Sequence, residues 1–141
     1  MSNAYTDTLI SWYREQSHRR ELKDADVIET GYNPKCGDRI TFFLKGDGIA
    51  IYAITYQPEA CMLCTASTEA AVQAIPKNPD GLYEVADELK KAADHLFTGV
   101  MVPEIESVLK DTYSTYPARQ TCLTLPWTTL ADAIQKLADL D

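Results

Sequence analysis

Cys36, Cys61, Cys64 and Cys122 are the side chains of this sequence best suited to chemistry. Cys36 lies in Asn33-Pro34-Lys35-Cys36-Gly37-Asp38, where proline and glycine flank the thiol and turn the backbone open between two expected strands. Asp38 is two residues further on, near enough to share one metal with Cys36. Cys61 and Cys64 follow a third expected strand at the start of a helix, and Cys122 sits just before the last expected helix. A helix N-terminus presents free N–H groups and partial positive charge. That environment favours thiolate and lowers the thiol pKa, and thiolate is the form that binds metal or attacks sulfur. Three cysteines with Asp38 would make a tetrahedral site in which soft sulfur selects zinc or iron–sulfur. The Cys61-Met62-Leu63-Cys64 spacing could instead supply two ligands by itself, or a redox dithiol. Redox pairs of this kind usually follow a strand in a βαβ pattern, which this sequence lacks. For any one of the four, packing as a small buried hydrophobe is the ordinary alternative.

The elements that must position these thiols can be read in order. Residues 6–17 read as a helix capped by Asp7, with Leu9, Ile10, Trp12 and Tyr13 on its apolar side. His18-Arg19-Arg20 follows at its negative end, where cations are favoured. Val27 to Tyr32 is rich in β-branched residues. Ile40, Phe42 and Leu44 alternate with polar neighbours, Gly46-Asp47-Gly48 signals a turn, and Ile49 to Tyr56 completes a hairpin over 38–57. From residue 62 the chain reads as helical, with Ala66, Ala70, Ala71, Ala74 and Ile75 at helical spacing. After a break at Pro76–Gly81, Leu82 to Leu96 gives a second helix with Leu82, Val85, Ala86, Leu89, Ala93 and Leu96 on one face. A short helix over 104–112 and a turn at Tyr116-Pro117 precede a last helix from Leu125 to about Leu140, with Pro126 in its first turn. Three strands alone would be marginal, so helices must cover one face. The expected class is α+β: a three-stranded antiparallel meander covered by helices, in one domain over residues 1–141.

The chain has 141 residues, 45% of them hydrophobic, which is enough for one core. A net charge of −8 argues against nucleic-acid binding and against docking on anionic lipid. No apolar run is long enough to span a bilayer. Met1-Ser2-Asn3-Ala4-Tyr5 has no basic segment followed by an apolar stretch, so no secretory signal is expected. The expected compartment is the cytoplasm, where cysteines stay reduced and four of them suggest metal or sulfur chemistry over disulfides. Trp12 and Trp127 read as core. His18 and His95 read as surface or capping residues near helix C-termini, and Asp80, Glu84, Asp87 and Glu88 as a solvated face. Arg119, three residues before Cys122, is placed either to stabilise a thiolate or to form a surface salt bridge, and Lys35 beside Cys36 shares that ambiguity.

Asn33-Pro34-Lys35-Cys36-Gly37-Asp38-Arg39-Ile40 resembles the first cysteine motif of the U-type iron–sulfur assembly proteins (IscU, SufU and the NifU N-terminal domain). Ala60-Cys61-Met62-Leu63-Cys64-Thr65-Ala66-Ser67 resembles their second motif, and Tyr116-Pro117-Ala118-Arg119-Gln120-Thr121-Cys122-Leu123-Thr124-Leu125-Pro126-Trp127 the third. Leu22 to Val27 fits the approach to the first strand, and the resemblance runs from about Tyr5 to Leu140. The Pro-Ala-Arg approach to Cys122 and the long stretch between Cys61 and Cys122 look like SufU. The Leu-Pro-Pro-Val-Lys segment of IscU and the histidine before its third cysteine are absent, and Thr121 stands in the latter place.

The resemblance implies a SufE/NifU-like fold and the ligand set Cys36, Asp38, Cys61 and Cys122, holding zinc or a nascent Fe–S cluster of the 2Fe-2S type. It implies that Cys36 or Cys61 accepts sulfur from a cysteine desulfurase, a pyridoxal-phosphate enzyme, for cluster building or relay to apo acceptor proteins. The chain would then be a scaffold or sulfur acceptor and no enzyme in its own right. Ala60 replaces the family's usual glycine. Cys64 stands where serine is common: an alternative ligand, a resolving thiol, or a buried substitute for serine, the reading favoured by how often free cysteine is core. These departures motivate a second reading, a structural zinc module without sulfur transfer.

Overall fold

The computed structural model describes residues 4–76, 79, 81–100 and 102–140, the side chains of residues 4–6 apart; Met1–Asn3 of the expected N-terminal reading and Asp80 of the expected acidic face lie outside the described residues. The element order is α1 (Ala4–Arg14), β1 (Val27–Asn33), β2 (Asp38–Gly46), β3 (Ile51–Glu59), α2 (Met62–Gln73), α3 (Leu82–Asp94), α4 (Pro103–Thr115) and α5 (Gln120–Ala138), with one 3-10 turn over Pro117–Arg119 leading into α5. The sheet is antiparallel in the order β1-β2-β3, so β1 and β3 are both edges. This is the expected α+β meander. Among the described residues no helix is long and apolar enough to cross a membrane.

Period-two patterning sets which sheet face is covered. Ile40, Phe42 and Leu44 of β2 and Tyr56 of β3 are fully buried, while Ile28 and Tyr32 of β1 point outward and are more than half exposed. The covered face meets α5, whose Leu123, Trp127, Leu130, Ile134 and Leu137 recur at helical spacing and are all buried. Contact between α5 and β1 is close at Gly31: a Cβ there would lie 1.9 Å from Thr129 Oγ1. Helix α2 packs between α1 and α5 and is buried from Cys64 to Ala71 without a break.

Four local expectations are corrected. Asp7 lies within the first turn of α1, where its charge favours the helix N-terminus, and is not the cap. Tyr13 faces solvent, 40% exposed, and carries the Arg19 guanidinium over its ring. Leu96 is exposed because α3 ends at Asp94. Leu96 and Phe97 then adopt left-handed backbone (φ 54° and 71°), which turns Leu96 out and buries Phe97 edge-on against Trp127. Helix α5 starts five residues before Leu125, so Pro126 is in its interior and Cys122 in its first turn. Pro126 has no N–H to return to the Cys122 carbonyl four residues back. Side-chain hydroxyls take up nearby carbonyls, Ser67 at Leu123 (2.6 Å) and Thr129 at Leu125 (2.7 Å).

The Gly31 contact gives a direct test. Gly31→Ala forces Thr129 to move and costs about 1–3 kcal/mol of stability, as overpacking does. Adding Thr129→Ala recovers part of that loss in denaturant melts; strict additivity of the two substitutions would remove this contact as the cause.

Candidate metal centre

The Cys36 loop is shaped by its first and last residues. Asn33 and Asp38 pair across the end of the β1–β2 hairpin. The Asn33 carbonyl accepts from the Gly37 N–H (2.8 Å), and the Asn33 side-chain oxygen accepts from the Lys35 N–H (3.1 Å), a turn that this residue type makes locally. Gly37 has φ +77°, the left-handed region where glycine is at ease. Cys36 is thereby held at an exposed tip. The Asn33 amide reaches on to donate to Thr121 Oγ1 (3.0 Å), which fastens this hairpin to the start of α5.

Cys61 is the N-cap of α2, with its sulfur accepting from the Cys64 N–H (3.4 Å). Cys122 is buried in the first turn of α5. Asp38, buried at the start of β2, is the group at which these segments converge. One carboxylate oxygen accepts from the Cys61 backbone N–H (3.1 Å) and the other lies 3.7 Å from Cys61 Sγ. Cys36 Sγ is 3.4 Å from Cys122 Sγ. The ligand-type atoms of Cys36, Asp38 and Cys122 all lie within 4.8 Å of one another, and Cys61 joins them through Asp38. Lys35, by contrast, is exposed in the loop.

The electrostatics differ from the sequence expectation at one point. Burial raises the Asp38 carboxyl, but hydrogen bonds from the Cys122 and Cys36 thiols and from Cys61 outweigh it, and the pKa falls below the usual carboxylate range. The helix start was expected to lower the Cys122 pKa. Instead its thiol is pushed well up, first by burial and then by the hydrogen bond and charge of Asp38, which overcome the helix dipole. Cys64 is fully buried and its thiol is likewise raised, chiefly by burial and then by the charge of Asp38. Arg119, exposed on the 3-10 turn, has its pKa raised first by a hydrogen bond with the Cys122 side chain and then by the charges of Cys61 and Cys122, so it faces the thiols.

The donor chemistry fits a metal. Tetrahedral zinc with Zn–S near 2.3 Å and Zn–O near 2.0 Å spaces its ligands by roughly 3.8 Å (sulfur to sulfur) and 3.5 Å (sulfur to oxygen). The Cys36–Cys122 and Asp38–Cys61 separations of 3.4 and 3.7 Å lie close to those values. Three thiols with one carboxylate are a borderline-soft set, suited to zinc or iron.

Outside this centre, Trp12 and Trp127 are core, His95 is an exposed C-cap of α3, and Glu84, Asp87 and Glu88 are exposed. His18 is not a simple surface residue. Its Nδ1 lies 3.1 Å from the fully buried carboxylate of Glu69, which also accepts from the Tyr56 hydroxyl (2.7 Å) and the Gln73 amide (3.0 Å). Neither Glu69 nor the structural part played by Asn33 was singled out in the sequence. A glutamate amid the alanines of α2 was the available sign of the first, and an asparagine before Pro-Lys-Cys of the second.

No family model matches the chain. The "Iron-sulfur cluster assembly scaffold protein IscU" of Thermotoga maritima is 27% identical over 138 residues, covering 95% of this chain and 94% of that protein. The "Zinc-dependent sulfurtransferase SufU" of Bacillus subtilis is 28% identical over 142 residues, covering 96% and 92%. Among solved structures, SufU of Fervidobacterium islandicum matches with TM-score 0.76 at 24% identity, over 91% of this chain and 94% of that one. The N-terminal part of a NifU-like protein from Brucella abortus matches with TM-score 0.73 at 20% identity, over 97% and 96%. The two structures show the shared fold, and the two sequence relatives span nearly the whole chain. In sequence and in fold, then, the chain resembles the U-type iron–sulfur cluster assembly proteins, with both IscU and SufU members among its relatives.

Proposed function

We propose that this chain is a SufU-like assembly protein that accepts sulfur from a cysteine desulfurase and holds zinc or a nascent Fe–S cluster between Cys36, Asp38, Cys61 and Cys122. The observation that carries this reading is the convergence of thiols from three separate segments on the buried Asp38 carboxylate. The names of the relatives, a cluster scaffold and a zinc-dependent sulfurtransferase, point the same way. Bound metal would supply a positive centre that keeps the thiols deprotonated.

The protein's own groups divide the work. Cys36 is the exposed thiol and the acceptor that a partner's active site can reach. Its sulfur attacks the outer sulfur of the desulfurase persulfide; the bond to the desulfurase cysteine breaks, that cysteine leaves as thiolate, and the persulfide now sits on Cys36. Asp38, hydrogen-bonded to the Cys36 thiol, holds that side chain against the other ligands. Arg119 faces the cluster and offsets the negative charge that collects there. Cys61 is half-buried and serves as ligand or second acceptor. The cytoplasm is the compartment this chemistry needs, since the thiols must stay reduced.

One observation favours the structural-zinc alternative: Thr121, in the position next to Cys122, is engaged by Asn33 and brings no basic group to the thiols. Three outcomes test these readings, and the second separates them. Anaerobically purified protein is expected to carry about one zinc per chain, or iron with matching sulfide, and Cys36→Ser to lose it. With a desulfurase and cysteine, persulfide appears on the chain and alanine release is stimulated; metal without persulfide would select the structural module. Asp38→Ala retains a reconstituted cluster longer, with transfer slowed roughly tenfold, about 1.4 kcal/mol in barrier, because a carboxylate leaves soft iron more readily than thiolate. Unchanged transfer kinetics would refute that role for Asp38. In metal-free protein, iodoacetamide followed by peptide mass mapping should label Cys36 first, Cys61 next, and Cys122 and Cys64 last; early labelling of Cys64 would contradict its burial.

A further inference from the structure

The β3 edge is guarded along half its length and open along the other half. Tyr56 sits opposite Phe42, and its N–H points away from β2 to the His18 carbonyl (2.8 Å). The segment after α1 therefore straps the edge at that point. Pro58, two residues on, has the same outward orientation and no N–H to offer. By the same alternation the N–H and C=O of Ile54 face outward, and among the described residues nothing is hydrogen-bonded to them. Ile51 pairs with Gly46 and Ala53 with Lys45, so Tyr52 is the extra residue of a bulge. Edge strands are ordinarily blunted by charge, proline or cover. This open half instead carries Ile51, Tyr52 and Ile54, with Tyr52 65% exposed and Ile49 in the turn before it 82% exposed.

The open edge borders a groove of about 680 Å³. Val72 of α2 and Ile75 just beyond its C-terminus form its apolar wall, and Arg20 and His18 of the strap line the other side. In a chain of net charge −8, no carboxylate lines this groove among the described residues. Asp47 stands outside it, engaged by the Ile49 and Ala50 N–H groups and the Tyr52 hydroxyl. His18 is paired with Glu69, whereas Arg20 bonds the neutral Ser17 carbonyl and, among the described residues, makes no ion pair.

We propose that the open half of the β3 edge, with this groove, binds an extended acidic peptide segment by strand addition. The outward Ile54 groups offer main-chain hydrogen bonds, the apolar wall takes alternate side chains, and Arg20 meets a carboxylate. A second copy of the chain fits less well. Its own β3 would bring a second strap against this one.

The test is an amide NMR titration of the metal-loaded full chain with the blocked peptide Val-Glu-Val-Asp-Val. Three controls accompany it: the same peptide N-methylated at alternate residues, the Val-Lys-Val-Lys-Val peptide, and the Ile54→Pro and Arg20→Glu variants. Proline at Ile54 removes an N–H that β2 does not use, as Pro58 already does in this strand, so the fold is expected to hold. The proposal expects saturable shifts centred on Tyr52 and Ile54, and slowed exchange of the Ile54 amide. It expects no binding by the N-methylated peptide or by Ile54→Pro, and about tenfold weaker binding by Arg20→Glu and by the lysine peptide. No shifts at millimolar peptide, or binding indifferent to N-methylation, overturns it. Concentration-dependent dimerisation that protects Ile54 without peptide overturns it in favour of a second copy. If Ile54→Pro does not fold, the N-methylated peptide decides alone.

Discussion

The whole arrangement turns on one buried carboxylate. Asp38 opens β2, and the thiols grouped around it come from the hairpin loop before it, the start of α2 and the start of α5. A carboxylate taken out of water must be matched by donors or it will neutralise itself. Here the matching donors are thiols and the Cys61 N–H, and they hold Asp38 ionised in spite of burial. The same arrangement raises Cys122, because the charge that the thiols stabilise on Asp38 opposes a second charge beside it. Without a cation, the charge on Asp38 opposes a charge on Cys122. A metal ion held there would reverse that balance and tie the ionisation of the site to its loading.

Helix α2 is fixed at two points by groups of this kind. At its N-terminus the Cys61 sulfur caps the first turn and the Cys61 N–H reaches Asp38. Two turns later Glu69 receives Tyr56 from β3, His18 from the strap and Gln73 from its own helix. The second cluster keeps α2 in register with the sheet. It also keeps the strap on the β3 edge, since the His18 that pairs with Glu69 lends its carbonyl to Tyr56. A misplaced Glu69 would therefore shift the frame in which Cys61 meets Asp38, without touching any proposed ligand.

Much of this was legible in the sequence because it rests on period and on residue chemistry. The alternation of Ile40, Phe42 and Leu44 gave the covered sheet face, and the stripe through Trp127, Leu130, Ile134 and Leu137 gave the helix that covers it. The three motifs marked the thiols and Asp38 as a set. What was not legible depended on tertiary context. The start of α5 was placed too late because Pro126 reads as a first-turn residue, whereas the helix begins at Gln120 and runs on through it. The Cys122 pKa was expected to fall because the helix dipole is local to the sequence, while the opposing carboxylate is 84 positions earlier in the chain. Glu69 was not singled out, since its partners His18 and Tyr56 come from other elements.

The extra cysteine shows how position separates chemistry from packing. Cys64 lies three residues after Cys61, the spacing of a two-ligand pair, yet α2 begins between them. Once Cys61 is the N-cap, its side chain turns back over the helix start while Cys64 is carried inward, fully buried within the helix packing. Cys64 still contributes to the centre through its backbone, because its N–H is the group that the Cys61 sulfur accepts. Replacing a serine by cysteine at that point leaves the backbone donor unchanged and adds a buried sulfur beneath the site. The helix start thus divides one Cys-x-x-Cys pair into a sulfur that faces the carboxylate and a sulfur that fills the core.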